Sequence, residues 1–119
     1  MATIDPAVAD LLPLPPATFH ILLALSGGER HGYAIIIDVE SRTDGSLRLS
    51  AGTLYRSLAR MVEQGLIAEV GRRRTRDDDE RRRYYRITTF GTAVARAEMA
   101  RLTELVKLAK ASGLTPRIA

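Results

Sequence analysis

Arginines carry most of the chemistry that this sequence offers. Segment 72–86, RRRTRDDDERRRYYR, holds eight arginines against four acids, and the rest of the chain is balanced, so the whole net charge of +4 falls in this one stretch. A guanidinium is a planar fork that meets phosphate oxygens two at a time, so this concentration points to a polyanionic partner. The competing explanation is a solvated charge run, in which Asp77, Asp78, Asp79 and Glu80 neutralise the arginines around them. Two further arginines, Arg56 and Arg60, stand four residues apart in SAGTLYRSLARMVEQ, residues 50–64. Like charges at that spacing repel slightly on an isolated helix, and an anionic neighbour relieves the repulsion.

Other chemistries find little to use. Cysteine is absent, which removes disulfides and thiolate metal sites and is compatible with a reducing compartment. His20 has no nearby histidine or cysteine with which to hold a metal, and reads as a residue at the edge of the core. The acidic run lacks the ligand spacing of a calcium loop, and there is no nucleophile motif and no phosphate-binding glycine loop. No enzyme activity, cofactor or metal is therefore expected. The opening MATIDPAVADLLPLPP has no basic n-region and is broken by prolines at 6, 13, 15 and 16, unlike a signal peptide. No apolar run approaches the roughly 20 residues that span a bilayer, so the reading is a soluble cytoplasmic protein without a membrane partner.

The elements that must position the arginines follow from periodicity. With 119 residues, 45% of them hydrophobic, the chain can bury one core. Residues 1–15 show neither helical nor strand period and read as a flexible arm. TFHILLALSGG, from Ala17 or Thr18, is apolar nearly all round and stops at Gly27-Gly28: a short buried helix. A second helix starts near His31, with Tyr33, Ile36, Ile37 and Glu40 on one face and Ile35 and Val39 widening it, which places Tyr33 in the core. Leu47-Arg48-Leu49 is long enough for a short strand.

Ser50 then suits the N-cap of a third helix, and Leu54, Leu58 and Met61 form its inward stripe. Thr53 stands where a capping box would carry Glu or Gln, so that box is incomplete, and Gly65 suits a left-handed C-terminal cap. The opposite face carries Thr53, Arg56, Ser57, Arg60 and Gln64, with Tyr55 on the flank. Tyr55 can pack on the segment that follows the helix or meet a phosphate backbone.

LIAEVG (66–71) and RYYRIT (83–88) alternate, with Leu66, Ala68 and Val70 sharing one face and Tyr85 and Ile87 another. Tyr84 and Tyr85 should split, one ring inward and one at the surface. The charged segment becomes the tip of a hairpin. A last helix begins around Thr89–Gly91 and runs to about Lys110, with Ala95, Met99, Leu102, Val106 and Ala109 in a seam and Leu105 and Leu108 beside it.

Helix, helix, short strand, helix, hairpin, helix is the order of a winged helix-turn-helix. The fold class expected is mainly α with a small β-hairpin, followed by a C-terminal dimerisation helix. The domain reading is a DNA-binding unit over 16–89, the dimerisation helix over 90–111 and a tail over 112–119. The third helix would enter the major groove of double-stranded DNA, presenting Arg56 and Arg60, while Arg81, Arg82 and Arg83 of the hairpin reach the adjacent backbone.

HGYAIIIDVE, LRLSAGTLYRSLARMVEQGLI and ERRRYYRIT followed by FG together resemble the PadR family of bacterial transcriptional regulators, in its short form with one C-terminal helix. The resemblance covers roughly residues 16–110. It implies a homodimer that binds an operator sequence-specifically and usually represses. Ser50, Gly52, Thr53 and Tyr55 match the family's segment at the start of the recognition helix, and His31 and Tyr33 match its HGY. Ala51 and Arg56 depart from it, standing where proline is common in the family, so base preference does not carry over. Some members respond to small molecules between their terminal helices; with no tryptophan, this chain lacks an indole platform for a flat aromatic effector.

The seam Ala95, Met99, Leu102, Leu105, Val106 and Ala109 suits dimerisation, because each large apolar side chain is worth about 1.5–3 kcal/mol when fully buried. Two modules related by a two-fold axis would read a pseudo-palindrome with half-sites roughly 34 Å apart or a multiple of that. The alternative is a winged helix used as a protein-interaction module, with no preference for one duplex over a scrambled one.

Overall fold

The computed structural model describes residues 4–71 and 83–117. Arg81, Arg82 and the acidic run 77–80 fall outside the described residues. The elements are α1 (Pro6–Ala9), α2 (Pro16–Leu25), β1 (Arg30–His31), α3 (Gly32–Arg42), α4 (Ala51–Glu63), β2 (Ile67–Glu69), β3 (Tyr84–Ile87) and α5 (Thr89–Ala111). The fold is mainly helical with a small antiparallel sheet.

The core forms where α2, α3 and α4 meet the sheet. Helix α2 starts on Pro16, which presets the backbone at a helix start, and it buries Ile21, Leu22, Ala24 and Leu25. Helix α4 adds Leu54, Leu58 and Met61, the stripe expected from its spacing. Ser50 caps it by accepting from the Thr53 N–H at 3.1 Å. At its other end Gly65, with φ of +77°, turns the chain so that the Leu66 N–H reaches the Met61 carbonyl at 3.0 Å.

Four expectations are corrected. The first concerns residues 5–15, which are not a loose arm. Asp5 caps α1, Val8 and Leu14 enter the core, and the Leu14 N–H donates to the Glu98 carboxylate on α5 at 3.0 Å. The prolines conceal this segment because they remove periodicity while leaving its apolar side chains free to pack.

The second concerns α3, which is rotated from its expected face. Ile35 and Val39 are buried, whereas Tyr33 is 61% exposed and Ile37 also lies in water. Ile35 and Val39 are four apart with Gly32 just behind them, so the core takes a narrow stripe and leaves its neighbours outside.

Third, the short strand is Arg30–His31 rather than Leu47–Leu49. Arg30 and His31 occupy the free edge of β3, pairing with Tyr85 and Tyr84, so the sheet order is β1-β3-β2. The Leu47 N–H instead donates to the Thr43 hydroxyl at 3.1 Å, which ties it to the turn after α3.

Fourth, Ile67 rather than Ala68 faces the core from β2; its register pairs Ile67 with Ile87 and Glu69 with Tyr85. Tyr85 is buried, while Tyr84 is half-buried with its ring edge-on to His31, centroids 5.5 Å apart. The expected split of the two tyrosines is therefore present.

Candidate nucleic-acid interface

Helix α4 divides its residues by chemistry. With the stripe held in the core, Gly52, Tyr55, Arg56, Ala59, Arg60 and Glu63 remain exposed. Arg56, Ala59, Arg60 and Glu63 line a shallow outward depression with Ser57. Glu63 was not singled out from the sequence, where an acid late in an arginine-bearing helix gives no distinctive signal. Arg56 lies back along its own helix: Nη2 is 3.5 Å from the Thr53 hydroxyl, and a Cβ added at Gly52 would stand 3.7 Å from Nη1. That distance is ordinary van der Waals contact, so Arg56 lies over the helix start without depending on a glycine at 52.

The arginines differ in whether a carboxylate already holds them. Arg42 binds Asp38 at 2.6 Å, Arg30 pairs with the same carboxylate at 3.7 Å, and Arg48 binds Glu40 at 3.0 Å. Arg83 lies 3.7 Å from Glu69 across the strands. Among the described residues, Arg56, Arg60, Arg86, Arg96 and Arg117 have no ion pair. Arg86, the last of the eight arginines in 72–86, is exposed on β3 opposite Ala68.

Tyr55 is positioned by a glycine. A Cβ at Gly32 would come within 2.5 Å of the Tyr55 hydroxyl oxygen, so the ring can rest on the start of α3 only because residue 32 has no side chain. Half of Tyr55 still faces water, and it lines a cleft with Val62, Glu69, Arg83 and Tyr85. Packing and exposure thus coexist in one ring. Burial, and then the nearby Glu69 charge, raise the Tyr85 hydroxyl above the ordinary tyrosine value, partly offset by Arg83. At the same corner His31 caps α3 by accepting the Ala34 N–H through Nδ1 at 3.1 Å. That nitrogen must be unprotonated to accept. Tyr33, two residues on from His31, is exposed.

Helix α5 presents a second kind of surface. Gly91, Val94 and Glu98 are buried against the body, but Met99 is 65% exposed and Leu105, Val106 and Leu108 are also in water. Ala95, Leu102 and Ala109 are half-buried. A cavity of about 360 Å³ opens between α2 and α5, walled by Phe19, Leu22, Leu23, Ala95 and Met99 with Arg96 at its edge. Among the described residues, no group of histidine and carboxylate side chains could hold a metal ion, and no helix is long and apolar enough to cross a membrane.

Comparison with known proteins bears on this arrangement. The family described as the transcriptional regulator PadR-like family matches residues 21–97. None of the curated proteins matches significantly. Among solved structures, a transcriptional regulator from Clostridium thermocellum is 25% identical, with 91% of this chain and 96% of that chain covered at a TM-score of 0.67. A PadR family transcription regulator from Clostridium difficile R20291 is 23% identical over 81% of this chain and 96% of that one, also at 0.67. Bacillus subtilis PadR, solved in complex with operator DNA, is 19% identical over 76% of this chain and 48% of that one, at 0.60. At the latter two identities the likeness is one of fold.

Proposed function

The chain belongs to the PadR-like family of transcriptional regulators, and we propose that it acts as a homodimeric repressor reading a pseudo-palindromic operator in the cytoplasm. In this reading α4 enters the major groove with Arg56 and Arg60 toward base edges. Ser50, Gly52, Thr53 and Tyr55 lie at the helix start, near the phosphates. Arg81, Arg82 and Arg83, together with Arg86, follow the neighbouring backbone. The observation that carries it is the state of Arg56 and Arg60: both are exposed, neither has an ion pair among the described residues, and the helix beneath them is fixed by three buried side chains. A guanidinium left without a carboxylate is available to phosphate or guanine, and each good bidentate base contact is worth about 1–3 kcal/mol of discrimination.

The second half of the reading concerns α5. Its exposed stripe is offered to the same stripe of a second copy, because self-complementary apolar faces close a two-fold dimer. Pairing two modules turns one weak half-site contact into a specific one. A bound dimer represses by occupying the DNA that the transcription machinery needs.

Fluorescence anisotropy tests both halves, using the DNA upstream of the protein's own gene, a scrambled duplex and two salt concentrations. Arg56→Ala and Arg60→Ala should narrow the gap between operator and scrambled DNA. Arg83→Ala, placed on the backbone, should weaken both alike and reduce the salt dependence. Equal effects of the two sets on both duplexes would overturn the division of roles. Equal, weak binding of the unmodified protein to every fragment in a genome-wide selection would favour the protein-interaction module instead.

A further inference from the structure

A second cavity lies between the N-terminal segment and α4, about 230 Å³ in volume. It is smaller than the roughly 300–1,000 Å³ of drug-sized pockets, so it suits a compact ligand. Its polar lining is Asp10, Thr18, Arg60 and Gln64. Leu11, Leu14 and Pro15 supply apolar wall.

Three observations define what fits. Thr18 lines the cavity and is 9% exposed, and among the described residues its hydroxyl has no hydrogen-bond partner; since no fully enclosed side-chain polar atom is left unsatisfied, the hydroxyl keeps some open surface. A hydroxyl held in this way is normally paired, with protein, water or ligand. Asp10 and Arg60 bear opposite charges on the same cavity yet form no ion pair with each other or with any other described residue. The site therefore offers an anion acceptor, a cation acceptor and a free hydroxyl over an apolar wall. Leu14 is itself fixed from behind by the Glu98 carboxylate, so the wall is built rather than loose.

We propose that this cavity binds a small α-amino acid with an apolar side chain, its carboxylate on Arg60, its ammonium on Asp10 and its side chain against Leu11 and Leu14. Arg60 also lines the outward depression of α4, so this one residue borders both places. A guanidinium turned inward onto a ligand carboxylate is drawn away from DNA and has part of its charge neutralised. Occupancy of the cavity therefore weakens DNA binding, a consequence that rests on the DNA-reading role proposed for Arg60.

The test has two arms. Isothermal titration of the full-length protein without DNA uses L-leucine, L-valine and L-phenylalanine as probes. 4-Methylpentanoate, which lacks the amine, and 3-methylbutylamine, which lacks the carboxylate, are the comparators. At least one amino acid should bind, with both comparators weaker by about tenfold or more. Thr18→Val and Asp10→Asn, checked for unchanged melting, should each weaken it by about tenfold, the order expected for losing one buried polar contact. Silence from all three amino acids, or binding indifferent to both variants, overturns the site. In the second arm, saturating amino acid should lower operator affinity by roughly fivefold in the unmodified protein and leave Arg60→Ala unchanged. Binding in the first arm with no effect in the second overturns the competition, and titrating Arg60→Ala without DNA assigns the failure: weakened amino-acid binding removes Arg60 from DNA reading, and unchanged binding removes it from the cavity.

Discussion

Helices α4 and α5 each bury three residues against the body of the protein, and they leave opposite surfaces in water. Helix α4 buries Leu54, Leu58 and Met61 and exposes Arg56, Arg60 and Glu63. Helix α5 buries Gly91, Val94 and the carboxylate of Glu98, and exposes Met99, Leu105, Val106 and Leu108. An apolar anchor with a charged outer face suits a polyanion, because exposed charges keep their hydration until the partner arrives. An anchor of small and apolar residues closed by one ion-paired acid, with an apolar outer face, suits a second apolar face, since water is the poorer neighbour for it. The inversion also distributes risk. Surface changes on α4 should alter binding and spare folding, whereas the docked end of α5 is tied to both.

Gly91→Ala should break this arrangement most severely. Its Cβ would collide with the Leu66 carbonyl oxygen and stand 3.0 Å from Ile87 Cγ1, so α5 would have to lift from the sheet. A loss of about 3 kcal/mol or more is expected, read as a lowered urea midpoint.

Val106→Lys should act on the exposed face instead. In the proposed dimer it should raise the dissociation constant by about a hundredfold, on the order of 3 kcal/mol, as seen by light scattering. The melting of the monomer should stay unchanged. A variant that remains dimeric would remove α5 from the interface.

Glu98→Gln separates charge from shape within the anchor. Arg101, whose Nε lies 2.5 Å from Oε1, and then the Leu14 N–H hold the Glu98 carboxyl below the usual carboxylate range, against the opposing effect of burial. The sign follows from linkage: a group whose pKa is lowered on folding adds stability that is present above its unfolded value, near about 4.3, and is lost as pH falls through the folded one. Removing the charge should cost about 1–2 kcal/mol at pH 7 and abolish that part of the acid-side loss, which urea melts from pH 7 to 3 would reveal.

Ala51→Pro should produce the smallest change. Position 51 is the first residue of α4, and Ser50 ahead of it is extended, with φ of −72° and ψ of 157°. Proline fits there without losing a helical hydrogen bond, so a gain of about 0.5–1 kcal/mol is expected from melting curves. Destabilisation would mean that the free N–H of residue 51 has work to do.

The same contrast governs what could be read from the sequence. Helix α4 was legible because its apolar and charged residues segregate cleanly, so its stripe, its cap at Ser50 and its end at Gly65 all follow from spacing. Helix α3 was legible as a helix but not in its rotation. Tyr33, Ile35, Ile36, Ile37 and Val39 crowd one short run, and periodicity cannot choose among adjacent apolar residues. The choice is made by tertiary contact, including the Tyr55 ring that needs bare backbone at Gly32. Strand β1 consists of Arg30 and His31, two residues with no alternation to detect. Glu98 looks like any solvated acid on a long helix, and its burial becomes visible only when the N-terminal segment is seen to bring an N–H to it.

One small side chain has a mechanical consequence. The Thr88 hydroxyl donates to the Gly65 carbonyl at 2.6 Å, with the Leu66 carbonyl at 3.0 Å, and accepts the Gly91 N–H at 2.9 Å. The exit of α4 and the entry of α5 are thereby clamped at a single pivot. Helix α5 stays docked as far as Glu98, whose carboxylate holds the Leu14 N–H, so its free lever is residues 99–111, about 20 Å at 1.5 Å per residue. A swing of about 10° moves the far end by roughly 3.5 Å, close to the rise of one base pair. In the proposed dimer, a modest torque on that lever would be enough to put the two modules in or out of step with the DNA repeat.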